Sequence, residues 1–137
     1  MKFGAIDQGT TSSRALMLRD EGAEILHAVE HGQHFPRPGW VEHDPRELLN
    51  NVRTCAEALK DADALGISNQ GESCLAWDRK TGAPISPVIV WQDDRTATVT
   101  ERLKADGCED HIKSVSGLPL DPYFSASKLA WLFHHGP

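Results

Sequence analysis

Between two short apolar runs near the start of the chain lies Asp7-Gln8-Gly9-Thr10-Thr11-Ser12-Ser13-Arg14, which holds an acid, a glycine, four hydroxyls and an arginine. These are the parts that phosphate binding needs. A glycine lets the main chain turn sharply and approach an anion, and the N–H and hydroxyl groups of Thr10, Thr11 and Ser12 can donate to phosphate oxygens. Asp7 can hold Mg2+ directly or through water, and Arg14 offers a fork of donors to the same anion. An ordinary polar hairpin has the same composition, so the segment alone leaves both readings open. It fits neither G-x-x-x-x-G-K-[ST] nor G-x-G-x-x-G, so two common nucleotide-binding classes lack support. What remains is a strand–turn–strand hairpin that cradles the phosphate.

Other polar residues carry weaker signals. Glu72 follows Asn69-Gln70-Gly71 at the end of an apolar run, where an acid either meets a substrate hydroxyl or faces solvent. Asp93, Asp94 and Arg95 head a helical pattern, and there helix capping accounts for the acids more simply than a catalytic carboxylate pair does. His27, His31 and His34 are closely spaced and His134-His135 are adjacent, but no zinc spacing with a fourth ligand emerges. They read as solvated strand-edge and helix-end side chains, and His43 as a local hydrogen-bonding partner. Trp40 and Trp77 read as structural aromatics, Cys55 as an inert buried thiol and Cys74 as a thiol open to alkylation.

The elements that must position these residues follow from punctuation and periodicity. Phe3–Ile6, Ala15–Leu18 and Glu24–Val29 predict three strands of a meander. Phe35-Pro36-Arg37-Pro38-Gly39-Trp40 is excluded from helix by its prolines. Asp44-Pro45-Arg46-Glu47 reads as a capping box with proline at the first helical position. Leu48, Val52, Cys55 and Leu59 then share one apolar helical face to about Lys60. Ala64–Ser68 predicts a parallel strand reached by a crossover. Leu75–Trp77 and Val88–Trp91 predict two more strands. A helix over Arg95–Ala105 turns Val99 and Leu103 inward, and one over Ser125–Phe133 turns Ala126, Leu129, Ala130 and Phe133 inward until Gly136-Pro137 stops it. The order indicates an α/β layer with a mixed sheet flanked by helices, whose ligands gather at strand ends.

Composition bounds the rest. A chain of 137 residues with 39% apolar content supports about one domain. Fourteen basic against twenty acidic residues leave a net charge of −6, with no basic stripe to follow a nucleic-acid backbone. Three scattered cysteines without C-x-x-C spacing suit a reducing, cytoplasmic compartment. No apolar run approaches the roughly 18 residues of a membrane span, and no leader-like segment precedes the first strand.

Six segments occur together and in order: Asp7–Arg14; Pro38-Gly39-Trp40-Val41-Glu42-His43-Asp44-Pro45; Asn69-Gln70-x-Glu72; Trp77-Asp78-Arg79-Lys80-Thr81-Gly82; Ile89-Val90-Trp91-Gln92-Asp93-x-Arg95-Thr96; and Gly117–Ser125. As a set they resemble the amino-terminal part of the FGGY family of carbohydrate kinases, closest to its glycerol kinase branch. The resemblance spans Phe3 to the last helix. It implies an incomplete first domain of ribonuclease-H-like (actin-like ATPase) fold, covering residues 1–137, and ATP-dependent phosphoryl transfer to a small polyol or sugar. Carried over by position, Asp7 organises Mg2+, Thr10, Thr11 and Ser12 meet the ATP phosphates, and Arg14 helps to neutralise them. Glu72, Trp91 and Tyr123 line the acceptor pocket, and position 71 borders it.

Two departures point away from glycerol itself. Gly71 stands where glycerol kinases carry arginine, so a fork of donors for substrate hydroxyls is missing and the pocket should be wider and less basic. Ser125-Ala126-Ser127-Lys128 replaces the Ser-Gly-Thr-Lys of that branch. Family members are several times longer, so the resemblance puts the general-base aspartate and the adenine-binding domain beyond Pro137. The expectation is that this polypeptide alone is inactive, and that apolar surface left without its partner layers drives self-association into a homo-oligomer. The alternative is a non-catalytic binding or interaction module that kept the hairpin and lost the chemistry.

Overall fold

The computed structural model describes residues 1–136, so Pro137, expected to help stop the last helix, lies outside the described residues. The chain divides into two compact units: Met1–Gln33 with His43–Gly71, and His34–Glu42 with the chain from Glu72 onward.

In the first unit, β1 (Phe3–Gln8), β2 (Ser12–Arg19) and β3 (Gly22–Glu30) form the expected antiparallel meander. Helix α1 (Pro45–Ala58) then crosses over to β5 (Ala64–Asn69), which pairs parallel to β1 in the order β3-β2-β1-β5. The two-residue β4 (Glu42–His43) lies where the units meet in sequence. Alternation along β1 and β2 sends Ile6, Ala15 and Met17 to one face, where Cys55 and Leu59 of the α1 segment cover them. Burying each of Ile6, Met17 and Leu59 contributes about 1.5–3 kcal/mol, well above what propensity gives an isolated 14-residue helix. Asp44 caps α1 by accepting from the Arg46 N–H at 2.8 Å. The reciprocal half of the capping box does not form, because Glu47 reaches the Gly32 N–H instead. The far edge of the sheet is open: all six residues of β5 are exposed, Ile67 to 64%.

In the second unit, Val88–Trp91 is reduced to β6 (Val88–Ile89), and the strand expected at Leu75–Trp77 is absent. Only single bridges, Cys74 with Ile89 and Trp77 with Pro84, remain there, because the Asp78–Thr81 side-chain turn interrupts any longer ladder. Helices α2 (Ala97–Ala105), α3 (Glu109–Ser116) and α4 (Ser125–His135) follow, α3 unforeseen. Its signals are Glu109 and Asp110 in the first turn and Gly117, with φ 75°, at the C-cap.

The inward faces of α2 and α4 differ from expectation. Val99 is exposed and Thr100 is buried. On α4, Leu129 and Phe133 face outward, Phe133 being 87% exposed, while Lys128 and Leu132 are buried.

A buried guanidinium organises this unit. The Arg95 side chain is 1% exposed and bonds Asp93 at 2.7 Å and Glu42 at 2.8 Å. It lies 3.8 Å from the Trp40 ring centroid and 4.7 Å from that of Trp131. Asp93 also accepts from the Val41 N–H at 2.7 Å, and the Asp94 N–H donates to the Gly39 carbonyl. Gly39 has φ 76°, and a side chain there would collide with Asp94, so only glycine suits this loop. Contrary to the capping expectation, α2 has no side-chain cap and no acid in its first turn; Asp93 and Arg95 instead fasten the Pro38-Gly39-Trp40 loop to the segment after β6. Arg95→Met, by leaving Asp93 and Glu42 without their cation, is expected to cost about 3–5 kcal/mol in urea denaturation. A change under about 1 kcal/mol would refute the cluster's role.

Candidate functional site

The strand–turn–strand hairpin over Asp7–Arg14 forms as drawn from the sequence. Asp7 lies opposite Arg14 and Gln8 opposite Ser13, with Thr10 and Thr11 at the turn. Asp7 and Arg14 point to the face that α1 does not cover, and both are exposed. Among the described residues neither forms an ion pair, so opposite charges stand at the strand ends uncommitted to the protein's own groups. The Gly9 N–H donates to the Ser12 carbonyl at 2.9 Å and closes the turn. A Cβ at position 9 would stand a tight 3.2 Å from that Ser12 oxygen, while the Gly9 φ is not left-handed.

His31, read as a solvated strand-edge residue, is instead buried behind this turn. Its Nε2 lies 2.9 Å from the Thr10 carbonyl, and its backbone N–H donates to the Thr11 carbonyl. Its ring meets His43 edge to face at 4.9 Å, and His43 Nδ1 bonds the Gly32 carbonyl, 11 residues away rather than local. No spacing rule exposes a histidine that stabilises a turn from 21 residues away.

In the second unit the candidate acceptor residues are linked by backbone and helix geometry. Among the described non-glycine residues only Glu72 has positive φ, 60°, a conformation costing of order 1–3 kcal/mol that the surroundings must impose. What imposes it is α4. One carboxylate oxygen, Oε2, accepts from the Ser125 N–H at 2.7 Å and from the Ser125 hydroxyl. The hydroxyl bond first, then the N–H, hold the Glu72 carboxyl below the usual glutamate range, against a smaller opposing effect of desolvation.

Trp91 and Tyr123 come together with ring centroids 5.5 Å apart at 60°. Beside them lies an open depression of about 340 Å³ lined by Trp91, Gln92, Asp93, Asp94, Asp121, Pro122 and Tyr123. Glu72 does not line it; its link to the depression runs through Ser125, two residues beyond Tyr123. The Trp91 N–H donates to the Ser73 hydroxyl, which ties the ring's backbone to the residue after Glu72.

Lys128, absent from the expected site, is fully buried under this corner. Its Nζ donates to the carbonyls of Tyr123 and Phe124. Burial pulls its pKa below the usual lysine value, partly offset by Cys74, Asp93, Glu72 and Asp121. Cys74 is buried rather than open to alkylation, and burial raises its thiol pKa despite the pull of Lys128 and Arg95. Trp77 is 60% exposed and held through its bridge to Pro84, so it anchors a loop without entering a core. Gly71 closes the first unit in ordinary backbone with open space where a side chain would stand. Among the described residues no three His, Cys, Asp or Glu groups gather as a metal cage, and no helix is long and apolar enough to cross a membrane.

Comparison with known proteins decides the family. Residues 3–137 match the FGGY family of carbohydrate kinases, N-terminal domain. The chain belongs to that family. It is 49% identical to a glycerol kinase of Ralstonia pickettii over 96% of this chain and 28% of that protein. Against a glycerol kinase of Methylorubrum extorquens the identity is 50%, over 96% and 28%. The crystal structure of Plasmodium falciparum glycerol kinase with ADP superposes with TM-score 0.86 at 33% identity, covering 99% of this chain and 29% of that one. The chain therefore spans little more than a quarter of the length of these FGGY relatives. Its mixed sheet and helices are part of the actin-like ATPase fold of FGGY kinases.

The Glu72 geometry has a pH signature. Because its folded pKa is depressed, the stability it contributes is complete above the ordinary glutamate pKa of about 4.3 and is lost as pH falls through the lower folded value. Melting temperatures from pH 7 downward should fall more steeply for the native chain than for Glu72→Gln below about pH 4.3. Parallel curves would show that Ser125 does not hold the carboxylate.

Proposed function

We propose that the chain is the N-terminal part of an ATP-dependent carbohydrate kinase, glycerol kinase-like, which transfers the ATP γ-phosphate to a hydroxyl of a small polyol or sugar. The observation that carries this reading is Glu72, a carboxylate fixed on left-handed backbone in a chain of the FGGY family. Functional sites are where such strain is kept. In this reading the Glu72 oxygen not engaged by Ser125 accepts from a substrate hydroxyl, the Trp91 and Tyr123 rings lie against the C–H face of the substrate, and the Tyr123 hydroxyl meets an oxygen.

For the nucleotide half, the residues present fit the group. The uncommitted pair Asp7 and Arg14 and the turn donors of Thr10, Thr11 and Ser12 supply a cation ligand, a cation and a row of donors. Asp7 would hold Mg2+ directly or through water, and Thr10, Thr11, Ser12 and Arg14 would orient the phosphates. When bound, MgATP supplies the transferable phosphoryl group, and catalysis is chiefly positioning and charge stabilisation. The lone carboxylate of Asp7 suits Mg2+, which keeps several waters and shares substrate phosphates. The general base and a second domain are assigned to sequence after residue 137, and residues 1–137 alone are expected to be inactive. The cell compartment that fits this reading is the cytoplasm.

The test is coupled ADP release with ATP, Mg2+ and a panel of polyols and sugars, run on the full open reading frame beside the 137-residue chain. Turnover by the long form alone is expected, with an acceptor larger than glycerol preferred. Silence from both across the panel would favour the non-catalytic module, which the missing arginine at position 71 supports. Since a side chain at Gly71 meets nothing within 4 Å, Gly71→Arg should fold and raise kcat/KM for glycerol relative to the larger acceptors by roughly tenfold or more, the worth of one charged hydrogen bond. An unchanged preference would remove position 71 from the specificity argument.

A further inference from the structure

Ser125 and Lys128 stand one helical turn apart at the start of α4, and each holds a different candidate acceptor residue. The Ser125 N–H and hydroxyl fasten the Glu72 carboxylate, while the Lys128 ammonium fastens the Tyr123 carbonyl. We propose that Ser125 and Lys128 are the positioning residues of the acceptor site, setting the Glu72 carboxylate and the Tyr123 ring relative to each other from one turn of α4. This rests on the reading of Glu72 and Tyr123 as acceptor contacts.

Three features carry the assignment. A fully buried lysine is costly unless its donors are satisfied, and its hydrogen bonds go to carbonyls rather than to a carboxylate, so its role is to hold backbone. The carbonyls it holds, Tyr123 and Phe124, directly precede α4, so the lysine stem folds back along its own helix and fixes the angle at which Tyr123 leaves it. Glu72 is on a segment 53 residues away, yet its strained backbone is matched by two bonds to the same helical turn. A further bond from Ser127 Oγ to Thr96 Oγ at 2.8 Å ties this turn to the N-cap of α2, so it cannot rotate freely.

Two separate readouts, the Glu72 titration and the Trp91–Tyr123 ring contact, distinguish positioning from plain stability. In NMR of the 137-residue chain, Ser125→Ala should move the Glu72 carboxyl titration upward toward the ordinary glutamate value while leaving the Trp91–Tyr123 ring contacts in place. Lys128→Met should lose those ring contacts and raise the Glu72 titration less than Ser125→Ala does, because the Lys128 charge is the smallest of the influences on that carboxyl. Lys128→Gln, which keeps a donor, should restore them in part and covers the case in which the methionine variant does not fold. A lowered melting temperature with the Glu72 titration and the ring contacts both unmoved would overturn the proposal.

In the full open reading frame, Ser125→Ala should raise the acceptor KM roughly tenfold, the loss of one charged hydrogen bond, with the nucleotide KM unchanged. Equal acceptor KM in an active enzyme overturns the proposal. Absence of any activity in the unmutated full-length protein would instead count against the kinase reading, and the NMR result would still decide the positioning.

Discussion

The buried guanidinium of Arg95 is the constraint around which the second unit is arranged. A cation that is 1% exposed needs its charge met and its flat faces covered, and Asp93, Glu42, Trp40 and Trp131 do both. Burial alone would lower the arginine pKa, but the bonds from Asp93 and Glu42 outweigh it and leave the pKa raised, so the charge is permanent. Because Asp93 also accepts from Val41, the cluster fixes the backbone on both sides of Trp91's neighbourhood, and the loop from Pro38 to Trp40 becomes a brace rather than a linker.

In the same unit, the corner that holds Glu72 and Tyr123 is built by hydrogen bonds to one helical turn. The strain at Glu72 is repaid locally by Ser125, and the desolvation of Lys128 is offset by two carbonyls. The result is a tethered carboxylate together with an indole and a phenol in edge contact with each other, groups that in the proposed reading recognise a small polyhydroxylated molecule. The Asp7–Arg14 hairpin follows the opposite logic: Asp7 and Arg14 are exposed and form no ion pair among the described residues, while His31 holds the turn from behind. In the proposed reading, this leaves both charges available to a phosphate and its cation.

Much of this was legible in the sequence, and the failures have physical causes. Apolar alternation gave the meander, and Asp44 with Pro45 gave the start of α1, because both signals are local. The six motif segments carried the family, since residue types at fixed spacing survive independently of packing. The inward face of α4 was misjudged because its apolar stripe, Leu129 and Phe133, looked like core, whereas a lysine with partners of its own took the buried position. Leu75–Trp77 had strand composition, but the tight turn at Asp78 left it only isolated bridges. The tie between Glu72 and Ser125, 53 residues apart, and the Arg95 cluster are tertiary arrangements for which a single sequence holds no periodic trace.

The central claim is that Glu72 is an acceptor-binding carboxylate held in place by α4, and it is tested most directly by the acceptor dependence of ADP release in the full open reading frame carrying Glu72→Gln. The account predicts that kcat/KM for the acceptor falls by roughly tenfold to a hundredfold, the worth of a charged hydrogen bond, while the nucleotide KM holds steady. Unchanged acceptor kcat/KM in that variant would contradict it.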